Sequence, residues 1–274
     1  MKSWSLLIDP APRRGAANMA VDEHLFSELG SKPGTTVRFY SWERPTASLG
    51  YSQNVAKVLD LASCRGYGVD VVRRITGGKL VLHWREVTYS VVSSDIEVFS
   101  ETLAESYRLI SLGLIRGLRK MGLQAQLAGS PPASYSTGNM PCFAHPARDE
   151  IEIDGRKIVG SAQKRAAGGF LQHGSIPLQD DEGLLSRISL ARDQGEPLRR
   201  TSISEVLGRE VHWRWAVDYL VKGMAEYFGV SFEPLTLNAE DEERIRCIQS
   251  RRYENEDWTM RGFGAPSIDF PGFG

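Results

Sequence analysis

One cysteine of this chain stands apart from the other two as a candidate nucleophile. Cys142 lies in a Pro-Cys-Phe triplet after a stretch of small residues and belongs to no apolar face. A thiol in a loop near a cation can have a lowered pKa and act as a nucleophile. The alternative is a small apolar residue in a core, which is the better interpretation for Cys64 and Cys247. His145 is a candidate base, and because no second Cys/His pair completes a ligand set we predict no metal site.

A lysine inside an apolar strand is the second candidate. The segment GRKIVGSAQKR at 155–165 is strand-like, and alternation places Lys157 and Val159 on one face and Ile158 on the other. An ammonium on the inner face of a sheet needs an anionic partner or a functional role. The alternative is an outward, solvated lysine.

Two glycines between apolar strands form the third candidate. In RRITGGKLVLH at 73–83, Gly77 and Gly78 allow a sharp turn or a close approach to a ligand. The alternative is a tight hairpin with solvated arginines at its mouth. The segment lacks the glycine spacing and the following helix of a phosphate loop. In LQHGSI at 171–176, His173 is either a core histidine or a site residue.

The elements that position these residues are mainly short strands joined by hairpins. Asp154 and Gly155 suit a tight primed turn between 150–153 and 157–159, and a second hairpin is predicted between 161–164 and 170–176. Apolar residues at three- and four-residue steps predict helices at 101–121 and 213–228. Frequent hairpins favour a mixed α+β sheet over alternating strand–helix units.

Composition excludes several classes of protein. The chain has 274 residues, 41% hydrophobic and 24% charged, as expected of a folded globular protein. Its net charge of −1 argues against a nucleic-acid binder, and no apolar run approaches the roughly 18 residues of a membrane span. Three widely spaced cysteines and no signal peptide indicate a reducing cytoplasm. We expect one catalytic domain at 1–260 and a Gly/Phe/Pro-rich tail at 261–274.

Taken together, the motifs resemble those of the biotin/lipoate protein ligase and octanoyltransferase superfamily. In chain order they are NMAVDE at 18–23, SLGYSQ at 48–53, RRITGGKLVLH at 73–83, PCF at 141–143, GRKIVGSAQKR at 155–165, LQHGSI at 171–176 and YENEDW at 253–258. Their order is far more specific than any single motif.

Within the superfamily the chain most resembles the LipM-type octanoyltransferases, which use a cysteine in a Cys-Phe pair upstream of the lysine hairpin. ATP-dependent lipoate ligases share the glycine and lysine strands but need no cysteine, and many carry an extra carboxy-terminal domain that this chain has little room for. Trp84, where an aspartate is common, and the unfamiliar tail depart from the family pattern and leave the acyl-chain preference open.

The resemblance implies a single α+β domain with a mixed β-sheet flanked by helices. It implies transfer of an octanoyl group from the phosphopantetheine of acyl carrier protein, through a thioester on Cys142, to a lysine of an apo lipoyl domain or of glycine cleavage H protein. Lys157 would lower the pKa of Cys142 and stabilise the oxyanion, and the already activated donor would require no cofactor. The substrate-binding residues would be Arg74, Thr76, Gly77, Gly78, His83, Gly160, Ser161, Ala162, His173 and Gly174.

Two alternatives stay open, an ATP-dependent lipoate ligase and a non-catalytic lipoyl-domain-binding homologue. Retention of both Cys142 and Lys157 argues against the second, because a binding protein has no use for the pair. The sequence also suggests either a basic rim for acidic protein partners or a solvated face, made of Arg73, Arg74, Lys79, Lys164 and Arg165.

Overall fold

A computed structural model describes residues 2–99, 102–129, 150–166, 168–190 and 200–260. The strands are β1 (Lys2–Ile8), β2 (Thr35–Tyr40), β3 (Thr46–Leu49), β4 (Asp70–Arg73), β5 (Val81–His83), β6 (Glu86–Ser93), β7 (Gln126–Leu127), β8 (Ile151–Ile153), β9 (Arg156–Ala166), β10 (Gly169–Pro177) and β11 (Val230–Pro234). The helices are α1 (Gly15–Ser27), α2 (Val55–Val58), α3 (Leu61–Gly66), α4 (Leu103–Lys120), α5 (Glu182–Ile188), α6 (Ile203–Leu207), α7 (Trp213–Phe228), α8 (Ala239–Ile248) and α9 (Glu256–Met260). Cys142, His145 and the tail at 261–274 lie outside the described residues.

Two sheets form the framework. The larger has eight strands in the order β11-β1-β2-β6-β10-β9-β8-β7, and the smaller has the order β4-β3-β5. β1 pairs in parallel with both β2 and β11, whereas β2, β6, β10 and β9 pair antiparallel. The prediction of a mixed α+β sheet is confirmed.

The two predicted hairpins are present, with one correction. Asp154 and Gly155 join β8 to β9 with φ of 50° and 71°, as a primed turn requires. The sequence interpretation divided this region into strands at 157–159 and 161–164, with a break at Gly160, and that break is wrong because Gly160 and Ser161 lie inside the continuous strand β9. Their backbone groups are taken up by β10, where Gly160 pairs with Ser175 and Ser161 with Gly174.

Helices α4 and α7 pack against each other and cover one apolar face of the large sheet. The approach is close: a Cβ on Gly223 would lie 2.1 Å from the backbone nitrogen of Gly117. The predicted stripe of α4 is buried at Ile110, Leu114 and Leu118, but Leu103 is 49% exposed at the first turn.

The carboxy-terminal described segment packs against α1. Asn238 caps α8 in a capping box with Asp241, and a π-helical turn (Gln249–Tyr253) leads to α9. Glu23 of α1 accepts hydrogen bonds from Arg252 and from the hydroxyl of Tyr253, both at 2.6 Å. No helix among the described residues is long and apolar enough to cross a membrane.

Candidate active site

A cavity lies between the two sheets, with about 390 Å³ of empty space including its open mouth. The predicted site residues that line it are Arg74, His83, Gly160, Ser161, Ala162, His173 and Gly174. The lining residues that the sequence interpretation missed are Met19, Tyr40, Ser48, Val81, Thr88 and Ser175. Five of the seven quoted motifs, those at 18–23, 48–53, 73–83, 155–165 and 171–176, therefore contribute residues to one cavity.

The two predicted close-approach glycines lie at an exposed edge of this cavity, but only one of them needs to be glycine. Gly78 has a φ of 92°, and a Cβ there would lie 2.8 Å from Arg74 Nη2 and 3.7 Å from Ala162 Cβ. Gly77 has room for a side chain. At this turn the close backbone approach is instead between Gly50 and Gly78, since a Cβ on Gly50 would lie 2.0 Å from the carbonyl oxygen of Gly78.

Arg74 is buried, and its guanidinium donates hydrogen bonds to the backbone of the glycine turn. Nη1 donates to the carbonyl and hydroxyl oxygens of Ser48 at 2.9 and 3.0 Å, and Nη2 donates to the carbonyls of Gly77 and Lys79, both at 2.8 Å. Nε donates to Gly77 at 3.2 Å. An arginine has five N–H donors, so all of them are engaged by the chain itself. Arg74 shapes the cavity, and because it is buried, both alternatives that place it at the surface, a basic rim or a solvated face, are wrong.

Arg73 points the other way and is 1% exposed, so it is no rim residue either. It donates to the carbonyl oxygens of Gly50, at 2.9 Å, and of Thr259, at 2.9 Å from Nη2. Trp258 returns a bond from its indole nitrogen to the Arg73 carbonyl at 2.8 Å. The carboxy-terminal helix α9 is thereby tied to the strand that precedes the glycine turn.

His173 is held between a carboxylate and a hydroxyl. Its Nδ1 lies 3.0 Å from Asp22 Oδ2 and its Nε2 lies 2.7 Å from Thr76 Oγ1. Burial lowers the pKa of His173; burial opposes ionisation of Asp22 as well, but the charge of Arg38 and the bond from His173 lower its pKa. A neutral ring beside an ionised Asp22 donates from Nδ1 and accepts at Nε2, so Thr76 donates to it. Thr76 is therefore a partner of the lining residue His173 and is not itself among the residues that line the cavity.

His83, in β5 of the smaller sheet, likewise has one ring nitrogen beside a carboxylate and the other beside a hydroxyl. Its Nδ1 lies 2.8 Å from Glu86 Oε1, and its Nε2 lies 2.8 Å from Ser48 Oγ. The Ser48 hydroxyl also accepts from Arg74 Nη1 at 3.0 Å, so it links the two side chains. The indole of Trp42 stacks on the imidazole with ring centroids 4.2 Å apart. Both predicted histidines therefore shape the cavity through fixed partners.

Ser161 lines the cavity and also contacts Tyr89, a residue of the apolar core on the large sheet. Its hydroxyl lies 2.7 Å from the hydroxyl of Tyr89, which also accepts from Gln172 at 2.9 Å. Burial raises the pKa of Tyr89 to about 12. Gly174 leaves the necessary room, since a Cβ there would lie 2.5 Å from Ser161 Oγ.

Lys157 is buried at the beginning of β9, as the inner-face interpretation predicted. Its ammonium lies 2.6 Å from Glu150 Oε1, and the two side chains are 1% and 8% exposed. The solvated alternative is therefore wrong, and the anionic partner that burial requires is Glu150. Lys157 does not line the cavity but lies three residues before Gly160, which does. Its relation to Cys142 lies outside the described residues.

Arg165 and Lys164, two further members of the predicted rim, differ in their contacts. Arg165 donates to Ser106 Oγ at 2.7 Å and to the Thr102 carbonyl at 2.9 Å, which ties β9 to the beginning of α4. Lys164 lies over the ring of Tyr51, and burial lowers its pKa. Within the ranges that the structure describes, no group of three or more His, Cys, Asp or Glu side chains is placed to hold a metal ion.

Relatives of known name cover almost the whole chain. It is 40% identical over 278 residues to the Octanoyltransferase LipM of Kyrpidia tusciae, covering 95% of this chain and 100% of the relative. It is 36% identical over 276 residues to the Octanoyltransferase LipM of Symbiobacterium thermophilum, covering 94% and 98%.

Solved structures confirm the fold. The chain superposes with a TM-score of 0.79, at 21% identity, on a bi-partite lipoate protein ligase from Thermoplasma acidophilum studied with its E2 lipoyl domain. The alignment covers 98% of this chain and 100% of that one. The model of the lipoyl protein ligase A/B catalytic domain matches residues 14–225. With that match and the two sequence relatives, the chain belongs to the lipoyl protein ligase A/B catalytic-domain family.

Proposed function

We propose that this protein is an octanoyltransferase of lipoate biosynthesis. The observation that carries the proposal is the similarity, over about 95% of the chain, to relatives named Octanoyltransferase LipM. The cavity supports it, because small and apolar groups of β9, β10 and β5 surround a buried slot suited to an alkyl chain.

The donor is a thioester, which we assign to the phosphopantetheine arm of acyl carrier protein. The Cys142 thiolate would attack the carbonyl carbon, forming a new C–S bond while the bond to the pantetheine sulfur breaks and that sulfur takes up a proton. The amine of the acceptor lysine would then attack the acyl-cysteine, forming the amide and returning the thiol. No nucleotide, metal or other cofactor enters this balance.

Lys157 is the proposed electrostatic partner of Cys142. An ammonium near a thiol favours the thiolate, and one near a thioester carbonyl stabilises the developing oxyanion. The burial of Lys157 against Glu150 supports this role, because the ion pair fixes the side chain on the same strand that lines the cavity.

The acceptor we assign is an apo lipoyl domain or glycine cleavage H protein, and the compartment is the cytoplasm, where a catalytic thiol stays reduced. The rival reaction is ATP-dependent ligation of a free acid. A free acid would bring a carboxylate into the cavity, where the five N–H donors of Arg74 are already engaged by Ser48, Gly77 and Lys79. This observation favours a neutral thioester donor.

The decisive experiment is acyl loading without acceptor. Mixed with octanoyl-acyl carrier protein and no nucleotide, the enzyme should gain one octanoyl group, about 126 Da, on Cys142, and lose it when an apo lipoyl domain is added. Cys142→Ser should abolish turnover, whereas Cys64→Ser and Cys247→Ser should leave the adduct intact. Strict dependence on ATP and free acid, with no cysteine adduct, would assign the protein to the ligases.

A further inference from the structure

The cavity is lined by side chains from four neighbouring strands of the large sheet, half-exposed on the β9 side and buried on the β2 side. It is lined by Ala162 on β9, His173 on β10, Thr88 on β6 and Tyr40 on β2, and these four strands are successive neighbours. Three strand spacings correspond to about 14 Å. The β9 end lies beside the exposed Gly78, whereas the residues at the β2 end are completely buried. An alkyl chain that entered beside β9 and followed this row of residues would end beneath α1, which carries the lining residue Met19.

Three side chains form the end wall, and two of them are fixed by hydrogen bonds. The hydroxyl of Tyr40 donates to Asp22 at 2.9 Å. Thr88 accepts from the indole nitrogen of Trp42 at 2.6 Å and donates to Glu86. Moving Tyr40 would leave its own buried hydroxyl without an acceptor, and moving Thr88 would take the acceptor from the Trp42 indole nitrogen. Either change is costly.

The third side chain is Met19 on α1. It is 3% exposed and packs in the apolar cluster of α1 while also lining the cavity. Its thioether chain is unbranched, with several rotatable bonds, and fills gaps of irregular shape. Of the three end-wall side chains, Met19 is therefore the one whose rotamer can change without loss of a strong hydrogen bond.

We propose that Met19 sets the length of the acyl chain that this cavity accepts. The proposal rests on the proposed function in taking an alkyl chain as the ligand. The methyl end of an optimal chain contacts the Met19 thioether, and a longer chain must displace it into the packed cluster of α1, where added volume is poorly tolerated. A shorter chain leaves a void at the same place and loses the corresponding contacts.

The test is a chain-length profile of transfer from hexanoyl-, octanoyl-, decanoyl- and dodecanoyl-acyl carrier protein. Each buried methylene is worth about fourfold in affinity, so opening the end wall by two methylenes changes preference by about an order of magnitude. We expect Met19→Ala to raise the ratio of kcat/KM for decanoyl over octanoyl by about tenfold or more. Met19→Phe should shift the preference toward hexanoyl.

The matched control is Met224→Ala. Met224 is also completely buried, but it lies in α7 within the opposite core and does not line the cavity. This variant should lose stability to a similar degree while keeping the wild-type chain-length profile. An unchanged decanoyl-to-octanoyl ratio in folded Met19→Ala, or the same shift in Met224→Ala, would overturn the proposal.

Two additions keep the test decisive. If Met19→Ala fails to fold, Met19→Val opens the wall less and should shift the ratio in the same direction; an unchanged ratio there has the same meaning. Calorimetric binding of neutral C6 to C12 alkyl amides reports the cavity without any transfer step. A shift of the binding optimum in the Met19 variants, without octanoyl transfer by any form, would overturn the proposed function and leave this inference standing.

Discussion

The two halves of β9 differ in chemistry although a few residues separate them. The first half buries Lys157 against Glu150, a pair of full charges removed from water. The second half presents Gly160, Ser161 and Ala162 to the cavity, with small side chains and no charge. Successive side chains of a strand point to opposite faces of the sheet, so the chemical character of one strand can change within a few residues. One continuous strand therefore carries a buried charge and, three residues later, an uncharged stretch that lines the cavity.

The largest effect should come from the charged half. We expect Lys157→Ala to slow octanoyl transfer by about 100-fold or more, the range for loss of one preorganised oxyanion donor. Lys164→Ala, on the same strand, should retain most of the activity. Single-turnover rates with both variants, checked for folding by circular dichroism, make the measurement. Equal losses in the two variants would remove the distinction between the halves.

The partner of Lys157 should matter for stability as well as for rate. Glu150→Gln leaves a buried ammonium without its carboxylate, and we expect the free energy of unfolding to fall by about 3 kcal/mol. The exposed ion pair of Arg156 and Glu205 begins at the adjacent residue of β9 and provides the control. Glu205→Gln should cost less than about 1 kcal/mol. Urea titrations of both variants test the difference, and equal losses would mean that Lys157 is not held by Glu150.

The small-residue half should respond to volume. A Cβ on Gly174 would lie 2.5 Å from Ser161 Oγ and 2.8 Å from the Gly160 carbonyl oxygen. We expect Gly174→Ala to lower the free energy of unfolding by about 1–3 kcal/mol and to weaken acyl binding, because the backbone of β9 must shift. Gly183→Ala, where a Cβ meets nothing within 4 Å, is the control. A Gly174→Ala variant as stable and active as wild type would show that β9 yields easily.

The smallest effect concerns the histidine opposite Ala162. Burial lowers the pKa of His173 in the folded protein below its unfolded value of about 6.5, so the unfolded state binds the proton more tightly. The neutral His173 ring therefore makes its full contribution to the free energy of unfolding above about pH 6.5. This contribution declines as the pH falls through 6.5, by at most about 1.4 kcal/mol per pH unit. Comparing urea titrations at pH 7.5 and 5.5, we expect His173→Gln to reduce this pH dependence. An identical slope in wild type and variant would contradict the buried, neutral assignment.

Local chemistry made much of the fold predictable. The pair Asp154 and Gly155 requires positive φ at both positions, and the structure has both. Apolar periodicity predicted α4 and α7 within two residues of their observed ends. The pairing of β1 with β11 could not be predicted, because no local signal relates residues 2–6 to 230–234.

The candidate site was predicted in its members but not in its contacts. A regular hairpin around Asp154 and Gly155 places Glu152 opposite Lys157, and these two do pair. The register shifts beyond them, and Glu150 rather than Glu152 supplies the carboxylate. Nothing in the sequence indicates that Arg73 and Arg74 are buried, because most of their acceptors are backbone carbonyls, several of them distant in sequence, which no residue type reveals.

The bonds between Arg73 and α9 have a consequence for synthesis on the ribosome. The acceptors that surround the Arg73 guanidinium include the carbonyl of Thr259, which leaves the ribosome 186 residues after Arg73 itself. The outer edge of β1 likewise waits for β11. Until those residues emerge, the Arg73 guanidinium has only part of its acceptors, those at residues 50–53, and a strand edge stays open. Such exposed edges invite aggregation. We therefore expect nascent chains released before residue 258 to be substrates for chaperones and proteases, whatever the state of the hairpins already made.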